Sequence, residues 1–377
     1  VKAKDDACKH PLDIFAAART VYFTKANLHR WRADLLSSDF YHHRKHTSHA
    51  QPLFIVGTQG SGASLLERIL DSHPNVRGLG EPTLLDDVVM QMYRKYRNGT
   101  WVRPDHVDAT FFSQSLGKLE EGFDKLERQA IDKDVWSLKN YYEHCSRAAE
   151  SGICEDDLES QREEGLSWAR RQAQYVVTSQ AADFMHIGAI RLLFPDSPII
   201  HVRRDLRDVA LANLRKLFSD ANVAWTFTLR DIVNYLRAYK QTMDHWGMAL
   251  PEFDGEAQCA SGEAQCGTKN THVTSDKIIH IRYEDLVQNP EDTLRSLLQQ
   301  LKLNSSDDDI ARCLSYLGDK PFQGFPTQRT EDAQDLILRN TSSWRKIYGF
   351  LSKEDQEDMH QLEELNEASE LREWLFK

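Results

Sequence analysis

The chain has 377 residues, with 47 Lys and Arg against 58 Asp and Glu, a formal net charge of −11 at pH 7. Hydrophobic residues make up 40% and charged residues 28%, a globular composition that excludes a disordered or fibrous chain. The length allows two or three domains, or one large α/β domain with an ample core, and the acidic balance argues against a general nucleic-acid binder, which presents a basic face.

In chain order, Ile14, Ala17, Val21, Leu28, Trp31 and Leu35 fall on one face, so residues 12–37 read as a helix within an N-terminal helical lead-in, 1–50. The segment 40–52, FYHHRKHTSHAQP, is polar and rich in His. It has no fixed ligand spacing and reads as a solvated linker rather than a metal site. Leu53–Gly57 reads as a buried strand, and a helix is expected from Ala63 to Ser72. Residues 84–150 look mostly helical. Tyr175–Thr178 is a short strand, Met185–Phe194 a helix, Pro198–Val202 a strand and Asp205–Phe218 a helix, followed by a long amphipathic helix over 224–247. Residues 251–276 contain the near-repeat GEAQCAS, GEAQCGT and read as an inserted surface loop. Lys277–Arg282 resumes as a strand and Glu291–Leu301 as a helix entered through Asn289-Pro290. The C-terminal segment, 351–377, carries a charged amphipathic helix over 353–376. Strands alternating with helices imply an α/β fold, a P-loop-like three-layer sandwich with a central parallel sheet flanked by helices.

No run approaches the ~18–20 apolar residues of a membrane helix. The chain begins at Val1 rather than Met and shows no signal-peptide pattern, which reads as a truncated or processed chain. Cys8, Cys145, Cys154, Cys259, Cys266 and Cys313 are too few and too scattered for a disulfide framework, and none forms the C-x-x-C of a zinc ribbon. Sequons at Asn98, Asn304 and Asn340 point weakly to a secretory lumen.

LFIVGTQGSGASLLERIL, 53–70, is a strand, a glycine-rich turn and a helix. Glycines at 57, 60 and 62 let the backbone curl so that its N–H groups face inward, and the helix adds unpaired N–H groups and its positive dipole end. Together these make a phosphate or sulfate cradle, to which Ser61 and Ser64 add hydroxyl donors. The plainer reading is an ordinary tight strand-to-helix turn. Gly57 and Gly62 have P-loop spacing, but Ala63-Ser64 stands where Lys and Ser/Thr would follow, so a nucleotide triphosphatase is a weak reading.

PIIHVRRDLRDVALANLRKLF, 198–218, is a strand, a basic turn and a helix. Arg203, Arg204 and Arg207 cluster at the carboxyl end of the strand, where open α/β sheets bind ligands. Arginine suits bidentate phosphate contacts, and Lys216 follows a few helical turns on. The competing reading is a solvated basic patch balanced by Asp205 and Asp208. Two anion sites on neighbouring strands suit a nucleotide with a 5′ chain and a 3′-phosphate.

These blocks, FIVGTQGSGASLLERILDSHPNVRGLGEP, IRLLFPDSPIIHVRRDLRDVALANL and IIHIRYEDLVQNPEDTLRSLL, resemble the sulfotransferases that use 3′-phosphoadenosine 5′-phosphosulfate (PAPS). The nearest flavour is that of the tetratricopeptide-linked and tyrosylprotein sulfotransferases. The resemblance extends in blocks from about residue 15 to 350 and implies a sulfotransferase domain over 51–350. It implies that residues Gly60, Ser61, Gly62, Ala63 and Ser64 form the 5′-phosphosulfate loop, that Arg204 holds the 3′-phosphate with support from Lys216, and that Tyr283 lies near the adenine. It also matches Ser342 to a late serine near the phosphates and Glu81 to the base of the tyrosylprotein enzymes. The implied partners are PAPS as co-substrate, with no metal, and a hydroxyl-bearing acceptor, protein tyrosine or a small molecule. A homodimer and residence in the Golgi lumen or secretory pathway, with the cytoplasm as the alternative, are the accompanying expectations.

The chain departs from the family pattern in its cations. The loop usually carries Arg or Lys where Gly60 stands, Thr is usual at Ala63, and the segment VTSQAAD, 177–183, lacks the lysine expected there. Ala212 replaces a serine at the 3′-phosphate. Three readings follow: an active sulfotransferase, a catalytically weakened relative that binds nucleotide or protein, and a degenerate P-loop kinase or NTPase.

Overall fold

The computed structural model describes residues 22–38, 50–89, 104, 107–149, 158–215, 225–255, 278–315, 342 and 344–375. Helix α1, Lys25–Ser37, starts at Thr24, whose hydroxyl accepts from the Asn27 amide at 3.3 Å. Its buried face, Leu28, Trp31 and Leu35, confirms the register expected of the second half of the lead-in helix; residues 12–21 lie outside the described residues. Strand β1, Gln51–Val56, is buried from Pro52 onward and takes in the last two residues assigned to the linker. The rest of the His-rich segment, 40–49, lies outside the described residues apart from its boundary.

Helix α2 spans Ala63–Asp71, and strand β2, Val76–Gly78, follows it. The region read as mostly helical contains α3, Leu84–Val89, and the long α4, Ala109–Ala149; α5 is Leu158–Ala169. Strand β3 covers Tyr175–Thr178 as expected, and a 3₁₀ turn over Ala181–His186 leads into α6, Ile187–Leu193. Then come β4, Ile199–Arg203, α7, Leu206–Arg215, and α8, Leu229–Gly255. The last of these runs further than expected: residues 251–255, assigned to the inserted loop, continue the helix. The remainder of that segment is outside the described residues. Strand β5, Ile279–Arg282, passes directly into α9, Tyr283–Gln288, then α10, Pro290–Gln300, with Pro at its first turn, and α11, Asp307–Leu314. Helix α12, Trp344–Ile347, and α13, Lys353–Leu375, complete the order.

The strands form one parallel sheet in the order β2-β3-β1-β4-β5, with β1 at its centre. Alternate residues of β1 enter different cores. Leu53 and Ile55 join Leu66, Leu70 and Leu298 on one face, while Phe54 and Val56 join Phe112, Ile190 and Trp246 on the other. Burial on both faces is what covered parallel strands require, and it produces the helix–sheet–helix layering expected from the alternation. Trp31 reaches the second core, where its indole N–H donates to the Val107 carbonyl at 3.0 Å. Helix α13 packs on α8 through Met359 and Leu362, which lie in the same core.

The carboxyl ends of β1 and β4 lie side by side at the point where the chain crosses from β3 to the other side of β1. Ligands in open α/β sheets sit at such a crossing.

Candidate active site

The turn from β1 to α2 is shaped by two glycines. Gly60 and Gly62 have φ of 84° and 100°, a left-handed region that side chains disfavour. A Cβ on Gly62 would lie 2.5 Å from Cδ2 of Tyr283, so the ring packs directly on the loop backbone. Gly62 caps α2 without a side-chain hydrogen bond, leaving the first-turn amides directed at the turn. Ser61 is 1% exposed, and its Oγ has no hydrogen-bond partner among the described residues. A buried donor at a helix N-terminus is suited to an anionic oxygen.

Arg204, just past β4, donates from Nη1 to the Gly60 carbonyl at 2.9 Å. Its guanidinium also lies over the Tyr283 ring, 4.3 Å from the centroid. Arg204, Tyr283 and the glycine loop, three separate sequence blocks, therefore meet. Asn213, on α7, fixes the loop from behind, its side-chain amide donating to the Gln59 carbonyl at 2.9 Å. Ser342 is brought in by Asp208, whose carboxylate accepts from the Ser342 amide at 2.7 Å and the Trp344 amide at 3.2 Å. Burial raises the Asp208 carboxyl above its ordinary range, against the lowering effect of those two bonds.

Arg207 turns away from this cluster. It pairs with Asp205 at 2.8 Å and Glu363 at 2.6 Å and lies over the Trp344 ring. Of the basic cluster, this arginine fits the structural reading, with Asp205 as its counter-ion. Asn366 of α13 closes the arrangement, donating to Asp205 at 3.0 Å and accepting from the Leu206 amide at 3.2 Å. Lys216 lies outside the described residues.

Glu81 follows β2 through Gly80, which has φ of 79°. Its side chain is exposed, and the Ser64 hydroxyl donates to Oε1 at 2.7 Å. The acid and the loop serine, seventeen residues apart in the chain, are thus in direct contact. Behind them Glu67 is buried, accepting from the Gly80 amide and the Ser179 hydroxyl.

A cavity of about 1030 Å³ opens along the carboxyl ends of β4 and β5, lined by Ser61, Arg204, Asp208, Ser342 and, at its inner wall, His201 and Tyr239. His201 Nδ1 lies 3.1 Å from His280 Nδ1, so one ring donates its N–H to the lone pair of the other, which requires the accepting ring to be neutral. Burial lowers both imidazoles, His280 to about 4, with Arg203 contributing to each.

Glu67, Asp208 and Asn213 were not singled out by sequence. A signal existed for Glu67: it interrupts the stripe Ala63, Leu66, Leu70 that α2 buries. An acid in a buried stripe needs donors or function. Asn213 carries a like mark, since it falls on the stripe Leu206, Val209, Ala210 that α7 buries, whereas Asp208 lies off that stripe and reads as a counter-charge to the arginines.

The fold and this site define an α/β protein with a glycine-rich loop and an arginine at the carboxyl edge of a parallel sheet. The chain belongs to the Sulfotransferase family, whose match spans residues 52–308, more than half its length. An uncharacterized protein of Aquifex aeolicus is 23% identical over 305 residues, covering 80% of this chain and 31% of that protein. The chain thus spans about a third of the length of that curated relative. Among solved structures, the sulfotransferase domain of the Synechococcus PCC 7002 olefin synthase is 18% identical, with a TM-score of 0.36, covering 84% of this chain and 94% of that one. The sulfotransferase domain from the curacin biosynthetic pathway is 16% identical, with a TM-score of 0.39, covering 84% and 99%.

Proposed function

We propose that the chain transfers the sulfuryl group of PAPS to a hydroxyl acceptor, with Glu81 as the base. The observation that carries this reading is the hydrogen bond from Ser64 to Glu81, which joins a carboxylate to the anion loop. The residues present fit the donor: Ser61 offers a buried hydroxyl without a partner among the described residues, Gly62 lets the Tyr283 ring pack on the loop, and Arg204 stands beside it. Gly60, Ser61, Gly62, Ala63 and Ser64 would cradle the 5′-phosphosulfate, Arg204 the 3′-phosphate, Tyr283 the adenine side, and Ser342 the phosphates from the late segment.

In the transfer, an acceptor oxygen forms a bond to sulfur as the bond from sulfur to the 5′-phosphate oxygen breaks. Glu81 takes the acceptor's proton. Charge growing on the leaving phosphate is met by the loop amides and the Ser61 hydroxyl. A phenolic hydroxyl, as in protein tyrosine, is the acceptor we favour, on the resemblance of the segment ending at Glu81. Golgi residence goes with that acceptor. Asn304, the sequon residue among the described residues, is exposed, although its side-chain amide already donates to Asp309 at 2.6 Å.

A second reading, nucleotide binding without turnover, is favoured by one observation. A Cβ at Gly60 would lie 3.2 Å from Asn213 Nδ2 and 3.3 Å from Ala212 Cβ, so the loop is packed for glycine where the family usually carries a cation. The test is sulfate transfer from PAPS to a phenol and to a tyrosine-containing acidic peptide. Glu81→Gln is expected to lower turnover roughly 10²–10⁴-fold while leaving the affinity for adenosine 3′,5′-bisphosphate unchanged. A wild-type chain that binds the bisphosphate and transfers nothing supports the second reading instead.

A further inference from the structure

We propose that Glu67 is a positioning residue for sulfuryl transfer, a latch that joins Gly80 to Ser179 and so sets where Glu81 stands against the loop serine. The proposal rests on the reading of Glu81 as base. Glu67 lies one turn into α2 from Ser64 and is 5% exposed. Its Oε1 accepts from the Gly80 amide and its Oε2 from the Ser179 hydroxyl. The Gly80 carbonyl in turn accepts from the Ser179 amide at 3.0 Å, and the Leu79 amide donates to Val177 at 2.8 Å. One carboxylate therefore ties the anion-loop helix to the end of β3 and to the residue before Glu81. The fit is close on the strand side as well: a Cβ on Gly78 would lie 3.0 Å from Glu67 Oε1.

Among the described residues, the charged groups that bear on Glu67 are both acidic. Asp71 lies one turn further along α2, paired with Arg171 at 2.9 Å, and Glu81 sits beyond Gly80. The elements packed against this face contribute the Gly80 amide and the Ser179 hydroxyl rather than a cation. Burial pushes the Glu67 carboxyl up to about 7, with Asp71 and Glu81 adding to the rise and the two hydrogen bonds opposing it. The ionised carboxylate accepts from both donors. The protonated acid keeps one acceptor for the Gly80 amide and turns its own O–H toward Ser179, which must then find a new acceptor. The latch is tightest on the alkaline side of its titration.

The test uses the whole chain and needs no acceptor for its first arm. Amide resonances of Gly80, Ser179 and Glu81 are followed by NMR from pH 5.5 to about 8.5, a window chosen to bracket one titration. A shared transition with a midpoint near 7 is expected, and it should vanish in Glu67→Gln, which keeps an acceptor for Gly80 and offers a donor to Ser179. In the second arm, Glu67→Gln should lower kcat with a phenol acceptor by roughly 10–10²-fold, the scale of a misplaced catalytic group, with acceptor KM and bisphosphate affinity unchanged. The absence of a transition in the wild type, its survival in Glu67→Gln, or full kcat in that variant overturns the proposal. Glu81→Gln separates the two ideas. It should lower turnover roughly 10²–10⁴-fold yet retain the shared transition, moved to lower pH by loss of an acidic neighbour. Retained turnover in Glu81→Gln defeats the base assignment while the first arm still decides the latch.

Discussion

A carboxyl group buried against two donors and two acids works against folding as soon as it ionises. Glu67 titrates near 7 in the folded chain, against roughly 4.3 for an ordinary Glu. The unfolded chain ionises first as pH rises, so the folded state loses stability through this group from about pH 4.3 up to about 7. Below the lower value both states are protonated and the penalty is absent. Across the full window the loss is at most about 4 kcal/mol, a large fraction of a typical domain's stability. Glu67→Gln is therefore expected to raise the urea unfolding free energy at pH 8 by up to that amount, with the gain shrinking toward zero at pH 4. An equal gain at both pH values contradicts a penalty due to ionisation. The cost of such a charge is common at sites where function is served at the expense of stability. Glu67 was legible in principle, as an acid in the buried stripe of α2. Its partners were not, because Gly80 and Ser179 reach it through the pairing of β2 with β3.

At the scale of elements, the loop between β1 and α2 works because it holds no side chain where Tyr283 arrives. Gly62 combines a left-handed backbone with a 2.5 Å approach of the ring. Gly62→Ala should displace the Tyr283 ring and with it the Arg204 guanidinium stacked on that ring. Strain of this kind is of order 1–3 kcal/mol. The expected result is a loss of roughly tenfold to a hundredfold in bisphosphate affinity, with the far-UV circular dichroism unchanged. Unaltered affinity contradicts the packing account. The strands β1, β3 and β4 were readable from their apolar runs, since each is buried on both faces. Strand β2 was not: Val76–Gly78 has three residues, one of them a buried Arg77 that bonds to the Ala169 and Arg171 carbonyls. Helices α9 and α11 are too short for periodicity to mark them. The extension of α8 to Gly255 was hidden by Pro251, which sits inside the helix four residues before its end.

Over the whole molecule, the charge of −11 leaves room for the proposed anion site because neutralisation is local. Asp205 and Glu363 occupy Arg207, whereas Arg204 is turned onto the loop. Alternation of strands and helices was enough to predict the parallel sheet, and the order of three blocks was enough to point to the family. The meeting of Ser64 with Glu81, and of Asp208 with Ser342, depends on contacts made across the sheet edge and was not written in any single block. The acceptor is the least legible part, since no residue spacing along the chain names a substrate.

The central claim is that this sheet edge holds a nucleotide carrying both a 5′ and a 3′ phosphate. Calorimetric titration of the wild type and Arg204→Ala with adenosine 3′,5′-bisphosphate and adenosine 5′-monophosphate tests it most directly. The wild type should favour the bisphosphate by roughly tenfold to a hundredfold, the worth of charge-assisted hydrogen bonds, and Arg204→Ala should bind both nucleotides alike. No binding of the bisphosphate, or equal preference in the wild type, would contradict the account.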